Sequence, residues 1–221
     1  MRAIAAILCP QTGDFVEGPH NDIIMRSLPT IIVLAAGPGR RGAGSPGRLA
    51  QALGGSSVLA TTLAQAIQTR LPVVVVTTES LLPLVADQIA HRDTIVVSAV
   101  DALRGSGHLV AVGVTERASS PGWLVLPGDL PLILPSTLLA VAEALDEHPV
   151  AYAQYRGRRG HPVGFGAELY SELALLSGED GVRRLIARYP GFAAEVDDPD
   201  VRSDAEAEPV TAPSRAAGGV A

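Results

Sequence analysis

The sequence predicts an α/β protein: an open, mainly parallel sheet with helices on both faces. Two observations predict it. Short, almost wholly apolar runs recur along the chain, as expected of strands covered on both sides, and segments of helical period lie between them. Strands followed by covering helices build a parallel sheet through right-handed crossovers.

The first strand is Ile31 to Ala35, which opens into a loop rich in glycine and arginine. Leu59, Leu63 and Ile67 then repeat at fourfold spacing and predict a helix. Further strands are expected at Val73 to Thr77, Thr94 to Ser98, Trp123 to Leu126 and Val150 to Gln154. Leu138, Val141, Ala142 and Leu145 mark one helical face, with Glu143, Asp146 and Glu147 turned outward. Val182, Leu185, Ile186 and Tyr189 mark a last helix, and Glu179 and Asp180 suit its positive end. Three regions are expected: an N-terminal extension over 1–28, one domain over 29–204, and a tail over 205–221. Neither end carries the strand and helix pattern, so both are expected to be unpacked. Met25 is a candidate alternative start.

Composition narrows the function. The chain has 221 residues and a formal charge of -6, and all 17 basic residues are arginine. No broad basic field is present, so nucleic acid is not an expected partner. Cys9 is the only cysteine, which excludes an intramolecular disulfide and a cysteine-rich metal cluster. No apolar run reaches the roughly 20 residues of a spanning helix. A cytoplasmic protein without a membrane partner is expected.

The loop after the first strand, GPGRRGAGSPGR, sits where open α/β sheets bind ligands, at the carboxyl edge. Gly37, Gly39, Gly42 and Gly44 allow a ligand to lie on the main chain, and Arg41 and Arg48 offer forked donors for phosphate oxygens. Neither the GxxxxGK[ST] nor the GxGxxG spacing is present. Read from composition alone, a solvated surface turn is an equal alternative. In the run WLVLPGDLPLI a second strand ends at Gly128-Asp129, bringing one carboxylate to the same edge. A lone carboxylate beside phosphates can begin a Mg²⁺ site, and it can also simply shape a turn between prolines.

The segments VLAAGPGRRGAGSPGRL, VLPGDLPLI and RRGHPVGFGAELYSELALLSGEDGVRRLI occur in one order, over about residues 30 to 204. Together they resemble the MobA-like nucleotidyltransferases, and most nearly the molybdenum cofactor cytidylyltransferases. The resemblance implies a Rossmann-like nucleotidyltransferase fold and a Mg²⁺-dependent transfer of CMP from CTP to the molybdopterin cofactor, with release of pyrophosphate. It implies a nucleotide site at Leu34, Ala35, Ala36, Gly37, Gly39, Arg41, Arg48 and Gly105. Arg41, Arg48 and Asp129 would be catalytic, Asp129 and Asp204 would hold the metal, and Arg159, Gly160, His161 and Pro162 would line the acceptor pocket. His161 could equally serve a local turn set by Gly160 and Pro162. A molybdenum hydroxylase would be the partner that receives the product.

Departures from the family pattern are specific. Where the family loop reads LAAGxSxRMGxxK, Gly39 replaces Ser, Gly42 replaces Met, the spacing after the arginine is two residues longer, and Arg48 stands at the Lys position. Leu109 stands for the serine of the Gly105-Ser106-Gly107-His108 segment. Near Asp204 a DxDTPED-like motif has Arg202 at its first Asp and Ala205-Glu206 at its Thr-Pro, keeping Glu208. A guanidinium is not equivalent to an ammonium point charge. Two alternatives therefore stand beside the cytidylyltransferase: a noncatalytic nucleotide- or cofactor-binding maturation protein, and a guanylyl or sugar-nucleotide transferase.

Overall fold

The computed structural model describes residues 28–36 and 46–201. The expectations placed on 1–27, on Gly37, Gly39, Arg41, Gly42 and Gly44, and on Asp204 and the tail lie outside the described residues. Among the described residues nine strands run in chain order: β1 Thr30–Ala35, β2 Ala52–Leu53, β3 Ser56–Ser57, β4 Val73–Thr78, β5 Thr94–Val97, β6 Gly122–Pro127, β7 Val150–Tyr155, β8 Arg158–Gly166 and β9 Phe192–Glu195. Seven of them form one sheet in the order β5-β4-β1-β6-β8-β7-β9, while β2 and β3 pair as a short ribbon. All pairings in the large sheet are parallel except those of β8, which runs antiparallel to both β6 and β7.

Eight α-helices are present among the described residues: α1 Pro46–Leu49, α2 Val58–Gln68, α3 Leu82–Val85, α4 Ala99–Ala102, α5 Ser106–Glu116, α6 Pro135–Ala144, α7 Tyr170–Leu173 and α8 Gly181–Ile186. The side chains of β1 alternate between two cores, as the period of two requires. Ile31, Val33 and Ala35 pack with Leu59 and Leu63 of α2 and with Leu138 and Val141 of α6. Ile32 and Leu34 pack on the other face with Leu109, Val110 and Val114 of α5 and Leu185 of α8. The predicted α/β class is the observed one, with helices on both faces.

All five expected strands are present, and two details of the sequence reading are corrected. Ile67 is 40% exposed, because a strict fourfold repeat drifts round a helix of 3.6 residues per turn and Ala66 takes the inward position. Ser57 caps α2, its hydroxyl accepting from the N–H of Ala60 at 3.1 Å. Glu179 serves a different helix from the one it precedes: its carboxylate accepts from the N–H of Ser106, the first residue of α5, at 3.2 Å.

Strands β8 and β9 and helix α5 are among the elements that the sequence reading did not place. β8 contains Gly160, Pro162, Gly164 and Gly166, all weak strand formers, yet it is paired along both edges. Cross-strand pairing, Trp123 to Phe165 and Val125 to Val163, overrides its local preference. β9 is only four residues long. α5 carries Gly107 and Gly113, which lower helix propensity. A Cβ at Gly113 would stand 2.7 Å from Cγ2 of Ile32, so the residue that weakens the helix lets it lie close on β1. Among the described residues no helix is long and apolar enough to cross a membrane.

Candidate active site

The carboxyl edge of the sheet brings together most of the described residues that the sequence singled out. Leu34, Ala35 and Ala36 are fully buried at the end of β1, and Ala36 is the last described residue before the glycine loop. The loop returns into α1, a four-residue helix whose Leu49 is buried against the sheet and whose Arg48 faces the edge. Backbone bonds from Ala50 to the carbonyl of Pro46 and from Gln51 to that of Arg48, both 3.0 Å, fix this turn.

Strand β6 reaches the same edge and continues its ladder beyond its last residue: the N–H of Gly128 donates to the carbonyl of Leu34 at 2.9 Å. The approach leaves no room for a side chain. A Cβ at position 128 would lie 2.9 Å from that carbonyl oxygen and 3.0 Å from Cδ1 of Leu59, so glycine is required by space rather than by turn geometry. Asp129 follows, 4% exposed. Its Oδ2 stands 3.4 Å from Nε of Arg48, whose side chain is one-third exposed. A buried carboxylate needs a compensating cation, and the structure places a guanidinium there.

Strand β8 starts on the far side of Asp129. Val163 pairs with Val125, so residues 158–162 run on past β6 on the side where it ends in Gly128-Asp129. The basic segment is a two-residue hairpin between β7 and β8, with Arg156 at φ 49° and Gly157 at φ 75°, the left-handed pair that such a turn requires. Arg159 lies over the ring of Tyr152 with 4.2 Å to its centroid, and Arg156 lies over Tyr155 at 4.9 Å. These stacked contacts orient both guanidinium groups while leaving their charge at the surface. The His161–Pro162 peptide is cis. Pro162 is buried and His161 half-buried, so both stand at the start of a strand and not in a free turn.

Gly160 answers to the chain's last described turn. A Cβ there would come within 2.3 Å of the carbonyl oxygen of Val201, so residues 199–201 cross directly over the start of β8. That turn is held by Asp198, a buried residue that the sequence reading did not select. Its Oδ2 accepts from the N–H of Leu134 at 2.9 Å and from the hydroxyl of Thr137 at 2.7 Å, and its Oδ1 accepts from the N–H of Asp200 at 3.0 Å. The only available signal was an Asp between an Asp and a Pro. The structure thus carries the chain from β9 to the edge, and Asp204 lies three residues beyond the last described position.

Gly105 stands apart from this group. Its φ is 95°, and a Cβ would come within 2.5 Å of the backbone of Gly178 and Glu179, which close over the first turn of α5. Nearby, hydrogen bonds from Ser98 and Arg104 hold the Asp101 carboxyl below the usual carboxylate range. The close backbone approach at Gly105 is therefore used by the protein itself.

Among the described residues no cluster of three or more His, Cys, Asp or Glu side chains could hold a metal ion. Asp129 nonetheless fits a divalent cation of the Mg²⁺ kind by the chemistry of its donors, since such ions accept one or two carboxylates and complete their shell with substrate phosphates and water.

Residues 31–194 match the family model described as the MobA-like NTP transferase domain. The chain belongs to that family. No curated protein matches it. Among solved structures it is similar to Rv0371c from Mycobacterium tuberculosis H37Rv, at 26% identity and a TM-score of 0.63 over 77% of this chain and 88% of that one. An Rv0371c homologue from Mycobacterium sp. strain JC1 gives 26% and 0.64 over 78% and 88%. A nucleotidyl transferase from Methanothermobacter, at 23% identity and a TM-score of 0.62 over 79% and 90%, shares the fold. This MobA-like chain is thus a nucleotidyltransferase by family, and the edge carrying Asp129 and Arg48 lies within the matched residues.

Proposed function

We propose that this MobA-like protein transfers CMP from CTP to the phosphate of a molybdopterin cofactor in a Mg²⁺-dependent reaction. The observation that carries the reading is the buried Asp129 carboxylate 3.4 Å from Arg48, beside the end of β1 from which the glycine loop departs. A terminal phosphate oxygen of the acceptor forms a bond to the α-phosphorus, the bond from that phosphorus to the bridging oxygen breaks, and pyrophosphate leaves. Bound Mg²⁺ would neutralise charge on the phosphates. Asp129 would hold it, with Asp204 as a second ligand. Arg48 and Arg41 would bind the triphosphate, and the backbone of Leu34, Ala35, Ala36, Gly37 and Gly39 would line the nucleotide. The solved complex of Rv0371c with manganese supports a divalent ion in this reading.

The acceptor site is assigned to Arg159, Gly160, His161 and Pro162. The orientation of Arg159 by Tyr152 supports this, since a phosphate-bearing acceptor would meet a pre-oriented guanidinium at the start of β8. The attacking phosphate is already anionic near neutral pH, so no strong general base is needed. The domain is assigned to residues 29–204, and a cytoplasmic molybdenum hydroxylase would be the recipient of the product.

A second reading is favoured by one observation: Arg48 already neutralises Asp129, as expected of a nucleotide- or cofactor-binding maturation protein without turnover. The test is to incubate the purified protein with molybdopterin, Mg²⁺ and each nucleoside triphosphate in turn, measuring pyrophosphate and dinucleotide. The expected result is stoichiometric release of both with CTP. Turnover with GTP, or only with a sugar phosphate as acceptor, would reassign the substrate; nucleotide binding without pyrophosphate would establish the binding protein.

A further inference from the structure

We propose that Arg48 is the resting counter-ion of Asp129 and is exchanged for the metal when the metal and triphosphate enter together. The inference rests on the assignment of Asp129 as a metal ligand and adds an order of events to it. Three observations point to an exchange. The pair is asymmetric: Asp129 is 4% exposed and fixed by the β6 ladder at Gly128, whereas the Arg48 side chain is one-third exposed. The backbone under Arg48 is fixed as well, because the adjacent Leu49 is buried and its turn is hydrogen-bonded, so movement is confined to the long side chain. Contact is through Nε at 3.4 Å, longer than the roughly 2.7–2.9 Å of a charge-assisted hydrogen bond.

A cation that takes Asp129 must displace this guanidinium or share the carboxylate with it at the cost of like-charge repulsion. A triphosphate offers oxygens to which the released fork can turn. The pair therefore favours binding of metal and triphosphate together, and the coupling is reciprocal. This order is specific to an arginine lying on the metal-binding carboxylate.

The test is Mn²⁺ affinity without nucleotide, measured by electron paramagnetic resonance on wild type, Arg48→Met, Arg48→Gln and Asp129→Asn. Removing the internal competitor should tighten Mn²⁺ by about five-fold in both Arg48 variants, the scale of a partly exposed ion pair. Either folded variant suffices, as judged by circular dichroism. Equal or weaker Mn²⁺ binding would overturn the exchange. A general electrostatic effect is distinguished by the Arg48 Nε–H resonance, assigned by its absence in Arg48→Gln: adding Mg²⁺ with inorganic tripolyphosphate should move it. An unmoved resonance under saturation would also overturn the exchange. Asp129→Asn separates the two claims. Unchanged Mn²⁺ affinity there means that the metal assignment itself fails, whereas lost affinity with unaltered Arg48 variants means that only the exchange fails.

Discussion

Gly128 and Asp129 divide one task at the end of β6. The glycine lets the strand close on the carbonyl of Leu34, and the carboxylate is then presented beside Arg48. Gly128→Ala would place a methyl carbon 2.9 Å from that oxygen and 3.0 Å from Leu59, so the strand end must move outward. We expect a loss of about 1–3 kcal/mol in stability from overpacking, measured as a shift in the urea midpoint at constant slope. Nucleotidyl transfer should fall further than stability under conditions where the variant is still folded, because Asp129 moves with the strand. The importance of this pair was legible in the sequence as a strand ending in Gly-Asp. Its partner was legible only as a charge: nothing in the spacing from 36 to 48 says that Arg48 reaches back to Asp129, since that contact is set by how the loop returns.

At the scale of elements, the strands and helices that alternate regularly were legible, while those whose conformation is imposed by neighbours were not. β8 was hidden because its glycines and proline contradict strand preference, and its pairing with β6 and β7 supplies what the local sequence does not. The β7–β8 hairpin was read as a basic turn, which it is, but its role in orienting Arg156 and Arg159 on tyrosines needs the fold. Helix α6 shows the same dependence. Its first helical residue is Pro135 and its N-cap Leu134 has no capping side chain; two donors at its start, the N–H of Leu134 and the hydroxyl of Thr137, are met by Asp198, 61 residues beyond Thr137. Asp198→Ala leaves the part-buried N–H of Leu134 and the buried hydroxyl of Thr137 without that acceptor, and a loss of about 2–3 kcal/mol is expected. Asp198→Asn, which keeps an acceptor oxygen, should lose less; equal midpoints for wild type and Asp198→Ala in urea would remove the cap from the description.

At the scale of the molecule, a parallel sheet delivers its strand ends to one edge, and there the described site residues converge from distant parts of the chain: β1, α1, β6 and the start of β8. The last described turn reaches the same place by crossing over Gly160. That convergence follows from topology and was foreseeable once alternating elements were recognised. Contacts between them were not, because each depends on a register or a close approach that no single segment encodes. The most direct measurement is pyrophosphate release by Asp129→Asn, with saturating CTP, Mg²⁺ and molybdopterin. This substitution removes the charge and hardly alters the volume. A folded variant with turnover reduced by about 100-fold or more is expected, the scale for removing one electrostatic group from a transition state. A folded variant that releases pyrophosphate at the wild-type rate would contradict the assignment of this edge as the active site.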